Sequence, residues 1–283
     1  PLVAMALFEI VPNLSEGRDE TTIDAAIAAV HATGARVLHR TSDPVHHRSV
    51  LTIAGTGARV LDAAVALAGI AVERIDLRSH KGVHPRIGAL DVLPFVPLRD
   101  ASLAQATALA HEAGARIWDR YRVPSFFYGA AARAPQRELL ADVRAGEFEG
   151  LDARFERMPP DVGTIPRHEQ AGAIAIGARN VLVAFNVELQ SGDLDLAKAI
   201  ARTLRERSGG LLGLRALGLR LSEGVVQVSL NVTDVDATPL YRIVELIARL
   251  AAKNGVAIRR SELIGLIPRA AVETSARYYL GTL

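Results

Sequence analysis

The spacing of hydrophobic and polar positions along the chain alternates between the periods of strands and helices. Near the start, an apolar run stops at Pro12, and Asp19 then precedes apolar positions three and four residues apart, which is helical spacing. The elements predicted in this part are strand 7–11, a helix from Asp19, strands 36–40 and 49–54, a helix from Gly57 and strand 90–96. The two middle strands are predicted to form a hairpin with a long polar tip.

The same order of elements recurs in the last hundred residues. The predicted elements there are strand 181–188, helix 194–207, hairpin strands 214–222 and 225–232, helix 240–254 and strand 258–266. Between the two repeats we predict helix 103–121, strand 125–128, helix 137–145 and a connecting segment rich in proline and glycine at 158–166. The fold class is therefore α/β (α+β), with two ferredoxin-like βαββαβ subdomains, 1–179 and 180–283. We expect the helices on one face of each mainly antiparallel sheet.

Composition narrows the chemistry that such a protein can perform. The chain has 283 residues, which is enough for two domains at about 150 residues each. It has no cysteine, so disulfides, thiolate zinc sites and thiol nucleophiles are excluded, and histidine and carboxylate chemistry remains. A net charge of +2 is too small to indicate nucleic-acid binding, and the apolar runs are shorter than a membrane span of about 18 residues. We expect a cytoplasmic protein with no nucleic-acid or membrane partner.

The most unusual segment is 78–91, a loop that carries two histidines, His80 and His84, among three cations. Gly82 and Pro85 disfavour a continuous helix, so the two rings do not share a helical face as zinc ligands would. A histidine beside lysine and arginine tends to stay neutral and can accept a proton. Either histidine is thus a candidate general base, with the cations holding an anionic substrate, while a solvated basic loop is the simpler alternative.

Three further segments have both a structural and a functional interpretation. The hairpin tip 42–48 is either a polar turn or part of a site, and 11–18 either caps a helix or presents backbone N–H groups to an anion. Segment 163–172 is either a mobile linker or a loop that covers a ligand. A metal-dependent hydrolase is a weaker alternative, because no carboxylate has clear ligand spacing; its candidate ligands are His46, His47, His80 and His84.

Five sequence strings, taken together, resemble the glutamate formiminotransferase family. They are VPNLSEGRD, HKGVHPRIGALDVLPFVPL, RAGEFEGL, GARNVLVAFNVEL and LIGLIP, in family order from residue 9 to 268. The family occurs alone in bacteria and as the front part of a bifunctional enzyme in animals. The resemblance implies two α/β subdomains that meet at an elongated folate-binding groove. It also implies transfer of a formimino group from N-formiminoglutamate to N5 of tetrahydrofolate, which releases glutamate in histidine degradation.

The resemblance places the catalytic histidine at His84. Substrate and folate carboxylates are expected to meet the basic side chains, and segment 163–172 is expected to contact folate. The full set of expected binding residues is Asn13, Ser15, Glu16, Arg48, His80, Lys81, Arg86, Gly88, Gly163, Thr164, His168, Gln170, Gly172, Gly177, Arg179 and Asn186. Tetrahydrofolate is expected as co-substrate, with no metal, and the protein is expected to be a homodimer.

The chain departs from the family pattern at several polar positions. Val83, Ala130 and Val45, and by comparison with the animal form Thr41, stand where acids are usual. His47 replaces an asparagine of the hairpin tip, and Gln170 and Ala171 replace a serine and a tryptophan of the animal folate loop. These changes suggest an altered substrate preference, for example for N-formylglutamate, or a weakened enzyme. A non-catalytic protein that binds folate or an amino acid remains the alternative from another functional class.

Overall fold

The structure, a computed structural model, describes residues 5–44, 46–82, 85–164 and 166–282. The chain divides into two compact units, Pro1–Arg179 and Asn180–Leu283, which we call unit 1 and unit 2. Buried hydrophobic side chains form one core cluster in each. No helix within the described residues is both long and apolar enough to cross a bilayer.

Unit 1 contains a seven-stranded mixed sheet. Its elements are β1 (Leu7–Ile10), β2 (Asn13–Leu14), α1 (Glu20–Ala32), β3 (Arg36–Asp43), β4 (Arg48–Thr56), α2 (Gly57–Arg74), β5 (Leu90–Arg99), α3 (Leu103–Tyr121), β6 (Ser125–Gly129), a 3₁₀ turn (Pro135–Arg137), α4 (Leu140–Arg144), α5 (Leu151–Arg157) and β7 (Ile174–Ala178). β1 and β2 both pair with β4 and β5 and so occupy one position in the sheet. The sheet is antiparallel from β3 through β4 and the position shared by β1 and β2 to β5. Beyond β5, strands β7 and β6 continue the sheet in parallel.

Helices cover both faces of this sheet where β6 lies. Consecutive strand residues point to opposite faces, and Phe127 contacts His111 of α3, whereas Phe126 contacts Phe155 of α5. Helices α1 and α3 start from side-chain caps; Asp19, for example, accepts the Thr21 N–H as an N-cap should. The short helices α4 and α5 are thus an addition to the βαββαβ pattern.

Unit 2 is a four-stranded antiparallel sheet with the order β11-β8-β10-β9. Its elements are β8 (Val183–Leu189), α6 (Leu194–Leu204), a 3₁₀ turn (Glu206–Ser208), β9 (Leu214–Ser222), β10 (Val225–Val232), α7 (Leu240–Ala252), β11 (Ile258–Ile264) and α8 (Arg269–Tyr279). Apolar residues alternate along β8 and β10, and one face packs against α6 and α7. Both units therefore contain the predicted βαββαβ order, and the predicted fold class is confirmed.

Several element predictions were wrong in detail. The hairpin tip is short, because strand pairing continues to Asp43 and Arg48. The predicted helix 137–145 is only the 3₁₀ turn followed by α4. β7 was missed since a buried strand with parallel neighbours is apolar on both faces and shows no alternation. Helix α8, which buries only Ala271, was missed, and so was α5.

Candidate functional site

Four segments of unit 1 meet beside the β3–β4 hairpin. They are residues 15–18 after β2, the hairpin tip, residues 75–82 and 85–89 between α2 and β5, and the segment 144–149 at the end of α4. Gly17 permits the approach of the first two, because a Cβ at this position would lie 2.3 Å from the Asp43 carbonyl oxygen and 2.5 Å from the Arg48 nitrogen. At Gly82, a Cβ would lie 2.6 Å from the His46 carbonyl oxygen. Both glycines are thus required by backbone proximity.

Two histidine rings contact each other at a tilted angle where these segments meet. The ring centroids of His47 and His80 lie 4.3 Å apart. The Gly17 N–H donates to Nδ1 of His47 at 3.3 Å, and a Glu16 carboxylate oxygen lies 3.5 Å from the same nitrogen. Burial lowers the pKa of both histidines, which favours their neutral forms. The ring that replaces the family asparagine therefore packs directly on one of the predicted site residues.

Partners on both nitrogens determine the tautomer of His80. Arg86 donates its Nε–H to Nδ1 of His80 at 3.2 Å, so Nδ1 must be the unprotonated acceptor. The proton is then on Nε2, which donates to the His47 carbonyl oxygen at 3.1 Å. Both ring nitrogens are engaged with the protein itself.

Arg86 is a buried cation, 7% exposed, that is held by two glutamates. Its terminal nitrogens donate to both carboxylate oxygens of Glu149, at 2.7 and 2.9 Å, and to Glu147 at 3.1 Å. Burial alone would lower the pKa of Arg86, but the hydrogen bonds and charges of the two glutamates raise it. The same hydrogen bonds hold the pKa of Glu149 below its usual range.

A second cluster of polar side chains contacts the loop that leads into β5. Arg48 donates to Asn13, and burial lowers the pKa of Arg48 to about 10. Asp91 accepts the Ile87 N–H at 2.7 Å and pairs with Arg144 at 3.0 Å, and the same Arg144 nitrogen lies 3.3 Å from the Pro85 carbonyl oxygen. This buried charge network holds the loop against the start of the strand.

A cavity of about 500 Å³ opens beside the upper part of this cluster. Its volume is within the range of small-molecule sites, roughly 300–1,000 Å³. The lining residues are His80, Lys81, Gly82, Arg86, Gly146, Glu147 and Glu149. Lys81 is exposed and open to a substrate carboxylate, whereas Arg86 is engaged by its own glutamates. The cavity therefore has both positive and negative groups on its wall.

The predicted folate loop, 163–172, is held at both ends. Gly163 has a positive φ of 99° and lies against the Trp118 ring, and Thr164 is exposed. At the other end, His168 and Gly172 form an antiparallel bridge, and Gly172 bridges Gly88. Three further hydrogen bonds hold this part of the chain. The Ser15 hydroxyl donates to the Gly88 carbonyl oxygen, and the Ala171 N–H donates to Nδ1 of His168. The Gln170 amide donates to the Val72 carbonyl oxygen.

The remaining predicted residues have other partners. Gly177 belongs to β7 and lies under the Tyr128 ring, where a Cβ would be 2.5 Å from a ring carbon. Arg179 follows β7; burial lowers its pKa, and the charges of Tyr128 and Glu9 oppose that effect. Asn186 belongs to β8 of unit 2 and donates to Glu262 at 3.4 Å.

The expected catalytic residue, His84, lies outside the described residues, as do Val83 and Val45. Of the alternative metal ligands, His46 pairs with Asp43 at 2.7 Å and the His47 ring contacts the His80 ring. Within the described ranges, no group of three or more His, Asp or Glu side chains is arranged to hold a metal ion.

Sequence reasoning missed four residues of this cluster: Asp91, Arg144, Glu147 and Glu149. All four lie within strings that match the family, GALD and RAGEFEG, yet none of the four was given a role. The sequence signal that could have identified Glu147 and Glu149 was their negative charge, because two glutamates two residues apart in a loop can form ion pairs with a basic loop elsewhere. Which basic loop it complements depends on the tertiary fold.

Comparison with known proteins identifies both halves of the chain. The family model described as "Formiminotransferase domain, N-terminal subdomain" matches residues 7–179, and the one described as "Formiminotransferase domain" matches residues 184–282. Proteins named "Glutamate formimidoyltransferase" from Streptococcus pyogenes and Thermoplasma acidophilum are 38% and 39% identical to this chain. The alignments cover 97% and 98% of this chain and 93% of each relative.

A longer relative aligns with the same residues. "Formimidoyltransferase-cyclodeaminase" from Gallus gallus is 37% identical over 97% of this chain, which spans 52% of that relative. Two family models together cover nearly all residues of the chain, and two relatives of matching length are more than 30% identical to it. The chain therefore belongs to the formiminotransferase family.

Proposed function

We propose that this protein transfers the formimino group of N-formiminoglutamate to N5 of tetrahydrofolate and releases glutamate, as a step of histidine degradation. The observation that carries this proposal is the nearly full-length match to two proteins named glutamate formimidoyltransferase. The cavity beside His80 and Lys81 supports it, because both substrates carry glutamate carboxylates that a lysine can bind.

In the proposed reaction, N5 of tetrahydrofolate attacks the formimino carbon and forms a new C–N bond. The proton of N5 passes to His84, and the C–N bond to the glutamate nitrogen then breaks as that nitrogen receives the proton. General acid–base catalysis of this kind contributes about 10² to 10⁴-fold, and holding the two substrates together contributes much of the remainder.

The state of His80 supports the assignment of the base to His84. Both ring nitrogens of His80 have partners within the protein, Arg86 on one side and the His47 carbonyl oxygen on the other. Neither nitrogen can accept a proton from a substrate unless one of these hydrogen bonds breaks. Of the two candidate bases in the loop, His84 is therefore the one we assign.

The activity is tested by incubating the purified protein with tetrahydrofolate and either N-formiminoglutamate or N-formylglutamate. Acid converts the 5-formimino product to methenyltetrahydrofolate, which is followed by its absorbance. We expect turnover with the formimino donor and its loss in His84→Ala. Turnover with the formyl donor alone would transfer the proposal to that substrate, and absence of turnover with both would refute it.

If the chain only binds folate, a different result is expected. Calorimetric titration with tetrahydrofolate would then give the same affinity for the wild type and His84→Ala, and no donor would be consumed. The binding experiment is included because Ala130 and Thr41, among other positions, stand where the family usually has acids.

We also propose that the protein is a cytoplasmic homodimer. In unit 2, the edge strand β9 exposes three leucines, Leu217, Leu219 and Leu221, at 61%, 42% and 51%. An exposed apolar edge strand is a common site of pairing between chains. Sedimentation of the wild type and of Leu219→Glu measures this: we expect a dimer for the first and a shift to monomer for the second.

A further inference from the structure

The segment 144–149 contacts the chain on the carboxyl side of His84 directly. The Phe148 N–H donates to the Arg86 carbonyl oxygen at 2.8 Å, and an Arg144 nitrogen lies 3.3 Å from the Pro85 carbonyl oxygen. Positions 85 and 86 are therefore fixed by groups that come from the end of α4. The proposed reaction assigns no role to this segment.

The same segment reaches the amino side of His84 through a side chain. Glu149 engages both terminal nitrogens of Arg86, and Glu147 engages one of them. Since the guanidinium is planar and rigid, fixing its terminal nitrogens also fixes the direction of its Nε–H. That N–H points at Nδ1 of His80 and determines the tautomer that donates to the His47 carbonyl oxygen.

Positions 80–82 are thereby attached to the β3–β4 hairpin. The hydrogen bond of His80 and its ring contact with His47 hold one end, and the close backbone approach at Gly82 holds the next residues against His46. The described chain before His84 thus depends on a glutamate–arginine–histidine relay, and the described chain after it depends on direct contacts with the segment 144–149.

We infer that Glu149, assisted by Glu147, is a positioning residue of the transferase, which acts through Arg86 and His80 to fix the loop that carries His84. This inference rests on the proposed function. Glu149 does not touch the reacting atoms. Its effect is to orient the segment on which the base lies, and a small displacement of such a segment reduces the rate of a reaction that requires aligned groups.

The variants that test the relay change side chains that are largely exposed. Glu149 and Glu147 are 64% and 45% exposed, so Glu149→Gln and Glu147→Gln remove charge without opening the core. Glu156→Gln is the matched control, because Glu156 is an exposed glutamate on the neighbouring helix α5. Circular dichroism and urea unfolding of each variant check that the fold is intact.

Two measurements decide the inference. In steady-state assays, Glu149→Gln is expected to lower kcat about tenfold and the double variant on the order of 100-fold, with KM changed less than about twofold. Nitrogen-15 NMR of histidine-labelled protein is expected to show His80 with an unprotonated Nδ1 in the wild type and a mixture of tautomers in Glu149→Gln. The His80 signal is assigned with His80→Gln, and Glu156→Gln should match the wild type in both measurements.

The outcomes separate this inference from the proposed function. Unchanged kcat in Glu149→Gln overturns the positioning role, whether or not the His80 signal changes. If the wild type does not turn over either donor, the proposed function fails, and the NMR signal alone then decides whether the relay exists. A His80 signal that is identical in the wild type and the double variant refutes the relay.

Discussion

At the scale of single residues, Gly177 shows how a position expected to bind folate has a packing role. The Tyr128 ring is buried and lies against the glycine backbone, so an added methyl group must displace the ring. Gly177→Ala should lower the free energy of unfolding by about 1–3 kcal/mol, the usual cost of overpacking. Urea unfolding measures it. Gly224→Ala is the control, since nothing lies within 4 Å of a Cβ at Gly224.

His168 predicts a pH effect on stability. Burial lowers its pKa, so below the ordinary pKa of about 6.5 the unfolded chain takes up a proton that the folded state refuses. Stability is then lost as the pH falls. His168→Gln retains an acceptor for the Ala171 N–H but cannot titrate.

The measurement is urea unfolding of wild type and His168→Gln at pH 7 and pH 5.5. The stability of the variant should improve relative to the wild type on acidification, by less than the limiting value of about 1.4 kcal/mol per pH unit because the ring is only half-buried. A difference that is independent of pH would contradict the assignment. Comparing His168→Gln with the wild type cancels the contribution of Glu9 to the pH dependence. Burial raises the pKa of Glu9, so its contribution to stability increases as the pH falls, opposite to that of His168.

At the scale of elements, the ion pair of Asp91 and Arg144 joins the end of α4 to the first residues of β5. Both side chains are largely buried, at 3% and 19% exposure. Arg144→Gln leaves a buried carboxylate with reduced compensation and should cost about 3 kcal/mol of unfolding free energy. Adding Asp91→Asn should recover part of that loss, because two neutral amides replace an uncompensated charge. A double variant less stable than Arg144→Gln would show that Asp91 is stabilised mainly by other groups.

The elements that the sequence predicted are those whose pattern reflects one buried and one exposed face. Helix α3 and the strands β9 and β10 have the predicted bounds for this reason. Strand β7 is buried on both faces and so has no alternation to detect, whereas α8, which was also missed, buries only Ala271. In the site, composition indicated His80 and Lys81, but the pairing of Arg86 with Glu149 joins positions 63 residues apart and requires the fold.

At the scale of the whole molecule, we propose that units 1 and 2 are independent folding domains. Each has its own hydrophobic cluster and a complete sheet. Separately expressed 5–179 and 180–283 should each unfold in one cooperative urea transition. Fragment 5–150 is the control: it lacks β7, which lies between β5 and β6, and should not unfold cooperatively. Absence of a transition for 180–283 would contradict the proposal.

The position of β7 also has a consequence for the order in which unit 1 is completed during synthesis. Within the described strands, β6 pairs with β7 alone, and β7 is translated after the chain from Gly129 to Ile174 has emerged. At about 5–20 residues per second, several seconds pass in which β5 and β6 each present an unpaired edge on the ribosome. The last strand of unit 1 to be made is thus inserted between β5 and the edge strand β6, and a chaperone that shields apolar edges would act during that interval.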